Sequence, residues 1–283
     1  RNMTPPFYFI DHGLEFAAGL AMFDADTLLV SFGHKDRSSW IAKINLSQLE
    51  MQSYPVGRGI WDVDFQPVLM RWTDVADSTQ RLVAADMPQH ADTPKNWDML
   101  QAIDSALCGN IDLPAIDVGA TADSAILKIL ARFGWKELYS INPDQHDSWQ
   151  QDGVWYLKGD ICETQFADET VGFISCLSVI EHGVDEHKFF AECWRIMAPG
   201  ARLVVSTDYW HEPVDTTGVV LWGQQLKIYT PSDMNRLIDI AKQQGFGMET
   251  TWNYRCNEAV ISNMGLSYTF ACLRFIKPED PRR

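Results

Sequence analysis

From Thr93 onward, short apolar runs alternate with longer stretches in which apolar residues recur every three or four positions. That alternation constrains the chain more than any other feature. Strand, helix and strand in turn build a parallel sheet covered by helices on both faces. Ala115-Ile-Asp-Val118, Leu138-Tyr-Ser-Ile141, Val154-Trp-Tyr-Leu157, Val171-Gly-Phe-Ile-Ser-Cys176 and Arg202-Leu-Val-Val-Ser206 read as strands. Trp97, Leu100, Ile103 and Leu107 share one helical face. They follow Thr93-Pro94, which reads as a capping hydroxyl with proline in the first helical position. Ile126, Leu127, Leu130 and Phe133 form a second stripe. Phe189, Phe190, Cys193, Trp194 and Met197 form a third, closed by Pro199-Gly200. Thr230-Pro231-Ser-Asp233 opens a helix that carries Leu237, Ile238 and Ala241 and stops near Gly245. Thr250-Thr-Trp252 and the run from Tyr268 to Phe275 read as two final strands with no helix between them, so the last strand is expected to run antiparallel.

The chain before Thr93 follows a different pattern. Residues 1–50 read as β, with runs at Phe7-Tyr-Phe-Ile10, Leu28-Leu-Val-Ser-Phe32 and Trp40-Ile-Ala-Lys-Ile-Asn45, punctuated by Gly13, Gly19 and Gly33. Such a segment is too short to bury a strong core alone. Residues 51–92 have weak periodicity and several turn residues (Pro55, Gly57, Gly59, Pro67, Pro88). They read as a connector with one strand around Arg81-Leu-Val-Ala84. The expected organisation is a β-rich segment over 1–50, a connector over 51–92 and an α/β domain over 93–283. The chain opens on Arg1 rather than Met, which is expected either of a fragment or of a tag scar at Arg1-Asn2.

Charge and cysteine usage narrow the partners. With 38 Asp and Glu against 23 Lys and Arg, the net charge is −15. Such a surface repels phosphate backbones and anionic headgroups, and Lys95, Arg132 and Lys136 are too dispersed to form a groove, so no nucleic-acid partner is expected. No apolar run approaches the roughly 20 residues that cross a bilayer, and no cleavable signal pattern is present. The six cysteines are scattered without a CxxC pair, which suggests unbridged thiols in a reducing cytoplasm. Eleven Trp, 14 Phe and 8 Tyr fill a core and could also stack sugars or bases.

In open α/β sheets, ligands bind outside the carboxyl ends of the strands. The loops there are distinctive. Asp117-Val-Gly119-Ala120 ends the first strand of the domain. Gly119 lets the backbone approach a ligand, and Asp117 can accept from an ammonium or from loop amides. The G-x-G-x-x-G fingerprint is absent, with Thr121 and Ser124 at its second and third positions, so a dinucleotide cradle is poorly supported. Asn142-Pro143-Asp144 follows the second strand, where a nucleoside site places a group for the ribose hydroxyls. Gly159-Asp160-Ile161 follows the third, Leu177-Ser178-Val-Ile-Glu181-His182 the fourth, and Ser206-Thr-Asp208-Tyr-Trp210-His211 the fifth.

Taken together, the D-V-G-A, G-D-I, L-S-V-I-E-H, R-I-M-A-P-G and S-T-D-Y-W elements resemble the class I S-adenosylmethionine-dependent methyltransferases. Thr93-Pro-Lys-Asn-Trp-Asp98 together with Ser206-Thr-Asp-Tyr-Trp210 is similar to members found with polysaccharide and cell-surface glycan genes. The resemblance covers about residues 90 to 275. It implies a Rossmann-like, mostly parallel seven-stranded sheet with an antiparallel last strand, helices on both faces, and S-adenosyl-L-methionine as cofactor. It also implies that Asp117, Gly119 and Ala120 border the methionine part, Asn142 the ribose, and Asp160 and Ile161 the adenine, while Ser178 and His182 close the pocket. Two departures stand out: the first loop is poor in glycine, and Asn142 occupies the usual place of an acid. A fainter resemblance, from Glu15 to Ala21 and from Leu28 to Asp36, is to the last part of a β-propeller of glycoside-active proteins.

The implied reaction is O-methylation of a sugar, glycan or other small-molecule acceptor. An alcohol acceptor needs a base near the methyl group; His182, Asp208 and His211 are the candidates, with Tyr209, Trp210 and Trp222 able to stack on a sugar face. Glu181, Asp185 and His187 do not form a convincing ligand set, so no metal is expected. Two alternatives remain at this point: a non-catalytic binding module of the same fold, and an NAD-dependent oxidoreductase, against which the missing glycine fingerprint counts.

Overall fold

The computed structural model describes residues 15–22, 24–34, 38–45, 65–122, 124–249, 251–256 and 258–279. The apolar run Phe7-Tyr-Phe-Ile10 and the first part of the 51–92 stretch lie outside them. The chain divides into two compact units, Arg1–Arg58 and Gly59–Arg283.

In the first unit, β1 (Glu15–Met22), β2 (Thr27–His34) and β3 (Ser38–Asn45) form an antiparallel meander. A register shift interrupts β1 between Ala17 and Gly19. The strand expected at Leu28–Phe32 runs on through Gly33 to His34, because β3 pairs with β2 over its whole length.

The second unit opens with helix α1 (Trp72–Ala84), a correction to the strand expected around Arg81–Ala84. Val75, Ser78 and Leu82 are its buried face, three and four residues apart. Ser78 and Thr79 return their hydroxyls to carbonyls four residues back, at 2.8 and 2.9 Å, so the polar residues cost the helix little. Helix α2 (Lys95–Ala106) follows. Thr93 does not cap it: successive turns from Asp92, Thr93 and Pro94 carbonyls to the amides of Lys95, Asn96 and Trp97 lead in instead.

The sheet is then assembled from β4 (Ala115–Val118), helix α3 (Ala125–Arg132), β5 (Leu138–Asn142), β6 (Trp149–Gln151), β7 (Val154–Lys158), β8 (Val171–Leu177), helix α4 (Glu186–Ile196) and β9 (Met197–Tyr209). A hairpin of β10 (Val220–Leu221) and β11 (Gln224–Gln225), helix α5 (Pro231–Gln244), β12 (Gly247–Met248), β13 (Ile261–Asn263) and β14 (Leu266–Ile276) complete it. The sheet order is β12-β14-β9-β8-β4-β5-β7-β6, with β13 also on β14. Strands β4, β5, β7, β8 and β9 are parallel, and β14 runs antiparallel to β9. This is the expected Rossmann-like α/β sheet, extended by the short strands β6 and β13.

Two further expectations are corrected. Pro199-Gly200 does not close α4. The helix stops at Ile196, and Met197 already pairs with Val171, so the proline and glycine lie in a kinked start of β9. Between α5 and β14 the strands are Gly247–Met248 and Ile261–Asn263, and Thr251 and Trp252 belong to neither (Thr250 lies outside the described residues); Trp252 instead packs edge-to-face on Tyr209, with centroids 5.7 Å apart.

Alternation along the strands separates two faces. Ile116, Ile174, Cys176, Leu203, Val205, Leu273 and Phe275 turn to the side of α4 and α5, in one continuous apolar core. The other set meets α2, and there the contact is partly polar. Ser206 Oγ donates to Asp98 Oδ2 at 2.6 Å, and buried Arg274 bonds Asp104 Oδ2 at 2.7 Å and the Gln101 carbonyl. Removing one member of a buried ion pair costs about 3 kcal/mol, because its partner is left in a poor solvent. Arg274→Met is therefore expected to lower the unfolding free energy by about 3 kcal/mol in urea titrations, and the double variant Arg274→Met/Asp104→Leu to recover most of it.

Candidate active site

The carboxyl ends of β4, β5, β7, β8 and β9 lie side by side, because parallel pairing in register brings them to one edge of the sheet. Asp117 in β4 is buried between neighbours, and it accepts from Ser124 Oγ and Ser175 Oγ, both at 2.8 Å. Burial pushes its carboxyl up to about 6, against the two hydroxyls, which favour the charged form. Gly119 has φ +76°, and a Cβ there would sit 2.7 Å from Val179 Cγ2. The loop after β4 therefore packs directly on the loop after β8, and only glycine allows both the angle and the approach.

Asn142 joins the same set. Its Nδ2 donates to the Gly119 carbonyl at 3.1 Å and its Oδ1 accepts from the Asp144 amide at 2.9 Å. Gly119 N–H donates to the Ile141 carbonyl at 2.8 Å, and the carbonyl of buried Ala120 accepts from Ser140 Oγ at 2.7 Å. The amide of Asn142 can donate to a carbonyl where a carboxylate could only repel it. One strand further, Asp160 is exposed and caps its own turn by accepting from the Cys162 amide at 2.8 Å, while Ile161 is buried beside Val118 and Ile141.

Ser178 sits at φ +53°, its amide held by Ser206 Oγ at 3.1 Å and the Ser206 carbonyl at 3.0 Å. Its own Oγ is buried without a hydrogen-bond partner, as is Nδ1 of His182 at the end of a single 3-10 turn, Ile180–His182. Burial and the Lys95 charge lower the His182 pKa, which favours a neutral ring.

The candidate bases fall into two places. Asp208 lies within β9 rather than in the loop after it, is buried, and interacts with the Tyr268 hydroxyl. His211 is exposed and turns to the loop at 251–256, with Nδ1 3.0 Å from Cys256 Sγ. Tyr209 is buried and donates to the Tyr254 carbonyl; Trp222 is exposed at the tip of the β10–β11 hairpin. Three neighbours of Asp208 are absent from the sequence reading of the base: Lys95, Asp98 and Glu181. Glu181 is fully buried and accepts from Thr207 Oγ1 at 3.2 Å; burial and the Asp208 charge push its carboxyl up to about 8. Lys95 Nζ lies 3.8 Å from Asp98 Oδ2. Only the Thr93–Asp98 segment pointed towards this group. Among the described residues, no group of His, Cys, Asp and Glu is arranged to hold a metal ion.

Residues 116–205 match the family model for a methyltransferase domain. The matched stretch runs from β4 to β9 and so includes most of the strand ends just described. The fold of the chain is similar to that of a geranyl diphosphate methyltransferase solved with SAM, at 14% identity and TM-score 0.50 over 70% of this chain and 89% of that one. The geranyl diphosphate C-methyltransferase of Streptomyces coelicolor A3(2) matches at 14% identity and TM-score 0.49, over 69% and 87% of the two chains. No curated protein matches the chain. No helix among the described residues is long and apolar enough to cross a membrane. The six cysteines remain thiols, with Cys176, Cys193 and Cys272 buried.

Asp117 carries a stability consequence. Its folded pKa lies above the ordinary 3.8, so it binds a proton more tightly folded than unfolded. Its favourable contribution is complete below that value and is lost as pH rises through about 6. Asp117→Asn should therefore be more stable than wild type at pH 8, by about 2 kcal/mol relative to the same comparison at about pH 3.5, as read from urea titrations at the two pH values. Identical differences at both would remove the strain assigned to this carboxylate.

Proposed function

We propose that the protein is an S-adenosylmethionine-dependent methyltransferase acting on the oxygen of a sugar or glycan-related acceptor. The observation that carries the cofactor reading is the cradle formed by Asp117, Gly119, Asn142 and Ser178 within the methyltransferase-domain match, next to two buried polar atoms, Ser178 Oγ and His182 Nδ1, that have no partner. Orphaned buried polar atoms are costly in a protein that never fills them. When bound, the cofactor supplies a sulfonium whose methyl group is open to in-line displacement.

The roles follow from the positions. Asp117 would face the ammonium of the methionine part, and Gly119 and Ala120 would line its approach. Asn142 keeps acceptor capacity on Oδ1 for a ribose hydroxyl while its amide holds the Gly119 loop. Asp160 can accept from the adenine amine, with Ile161 against the ring. Ser178 and His182 would border the reacting methyl. The oxygen-acceptor reading is supported by the carboxyl groups of Asp208 near the end of β9 and Glu181 in the turn after β8, because an alcohol must lose a proton as it is methylated. A sugar is supported by the mixture of hydrogen-bond acceptors with the exposed rings of Trp222 and Tyr254. The division into a β segment (1–50), a connector (51–92) and a catalytic domain (93–283), and a cytoplasmic setting suited to unbridged thiols, belong to the same proposal.

A second reading, a binding module without catalysis, draws on one observation: Asn142 is already engaged with Gly119 where a free carboxylate would serve a ribose. Calorimetric titration with S-adenosylmethionine, S-adenosylhomocysteine and NAD separates the readings. Micromolar binding of both sulfur compounds but not NAD is expected, with at least a tenfold loss in Asp117→Ala and Asp160→Ala. A folded protein that binds neither sulfur compound would end the methyltransferase assignment.

A further inference from the structure

The group around Lys95 is not accounted for by cofactor binding. Lys95 stands at the first turn of α2, and its Nζ is buried without a hydrogen-bond partner. It lies 3.8 Å from Asp98 Oδ2 and 4.3 Å above the centre of the Phe270 ring. Phe270 is directly opposed to Asp208 across the antiparallel β14–β9 pair. Directly opposed residues on antiparallel strands project from the same face of the sheet. The ammonium over the Phe270 ring is thus beside the Asp208 carboxyl, with a ring face completing its surroundings.

Resting on the methyltransferase reading, we propose that Lys95 is a positioning residue for proton transfer: its buried ammonium, set beside Asp208 over the Phe270 ring, holds that carboxyl charged so that it can take the proton of the acceptor hydroxyl. In that step the acceptor's O–H proton passes to a carboxylate oxygen of Asp208. The new oxygen–methyl bond forms as the methyl–sulfur bond breaks with its electron pair going to sulfur. The products are a methyl ether, S-adenosylhomocysteine and a protonated Asp208.

The charges around Asp208 are mixed, and this is why Lys95 matters. Asp98 on α2, Asp92 just before α2 and Glu181 after β8 all oppose a second negative charge, and Tyr268 on β14 offers a hydrogen bond. His182, whose pKa is lowered by burial and by the Lys95 charge, lies at the same edge. Among these groups Lys95 is the cation that favours the charged form of Asp208, whose carboxyl is nonetheless pushed up to about 6 by burial. Lys95 also favours the charged form of Glu181, but burial and the Asp208 charge outweigh it and push that carboxyl up to about 8. A charge on either carboxyl opposes a second charge on the other.

The test is a carbon-13 carboxyl NMR titration of the full chain, wild type against Lys95→Met and Lys95→Arg, with calorimetric S-adenosylhomocysteine affinity on the same samples. Wild-type Asp208 is expected to titrate below pH 7. Lys95→Met should raise that midpoint by about one unit, a tenfold change in proton affinity, with S-adenosylhomocysteine affinity changed less than about threefold. Lys95→Arg should restore most of the wild-type midpoint. An Asp208 midpoint that stays within about 0.3 units in folded Lys95→Met, or a wild-type midpoint above 7, overturns the proposal. So does a collapse of S-adenosylhomocysteine affinity in Lys95→Met, which would make Lys95 a cofactor ligand. If Lys95→Met does not fold, the wild-type and Lys95→Arg titrations still decide. Failure of the wild type to bind S-adenosylhomocysteine would count against the function proposed above and leave the Asp208 titration readable.

Discussion

Asp98 has no exposed surface, and its carboxylate is held by Ser206 Oγ at 2.6 Å and by the Met99 amide at 2.9 Å. Ser206 in turn receives the Ser178 amide at 3.1 Å, so one buried acid ties α2 to β9 and β9 to the loop after β8. A purely apolar interface would let helix and sheet slide by a fraction of a turn with little penalty. Hydrogen bonds to a buried carboxylate do not allow this, since each lost bond leaves a charge unsolvated. The position of Lys95, three residues before Asp98 on α2, is inherited from that anchor. So is the backbone of Ser178, held at positive φ against the strand end.

The cost of this arrangement is visible in the titrating groups. Asp98, Asp117, Glu181 and Asp208 are all buried near one edge of the sheet, and burial is the first cause that raises each carboxyl. A fold selected for stability alone would replace several of them with apolar residues. Buried carboxyls gathered at the edge of the sheet where ligands bind in folds of this kind are what a chemical role predicts. Elsewhere the same face pairs opposite charges, as where the terminal nitrogens of Arg274 meet Asp104 and the Gln101 carbonyl.

The central strands were legible because a parallel strand buried on both faces must be apolar throughout. Ile116, Ile174 and Leu203 face one helical layer while Ala115, Phe173 and Val204 face the other, and all are buried. Helix α5 was legible at both ends: Thr230 and Asp233 form a reciprocal capping box, and Gly245 takes the left-handed conformation at φ +110°. The short edge hairpins were missed, yet each carried a signal. Asp152-Gly153, Trp222-Gly223 and Met264-Gly265 all have two successive positive φ values, the geometry of a two-residue hairpin turn. Helix α1 was missed because its buried stripe holds a serine between Val75 and Leu82, which weakens the apolar period while leaving the packing intact.

The site divides along the same line. That Asp117, Gly119, Asn142 and Ser178 come to one edge of the sheet could be read from sequence because each stands at or next to a strand end, and a strand end is a local feature. The Lys95 group could not, because its members come from α2, from the 3-10 turn after β8, from β9 and from β14, and no spacing links positions 95, 98, 181, 208 and 268. Only three-dimensional pairing sets Phe270 opposite Asp208 and brings an ammonium over that ring. A residue such as Lys95 looks in sequence like any solvated lysine in the first turn of a helix, and there it is even unfavourable, since the positive end of the helix dipole repels a cation. That unfavourable placement is offset here by the neighbouring carboxyls. The combination of a poor local position and a buried, unpartnered head group distinguishes a lysine held for its charge from one held for solubility.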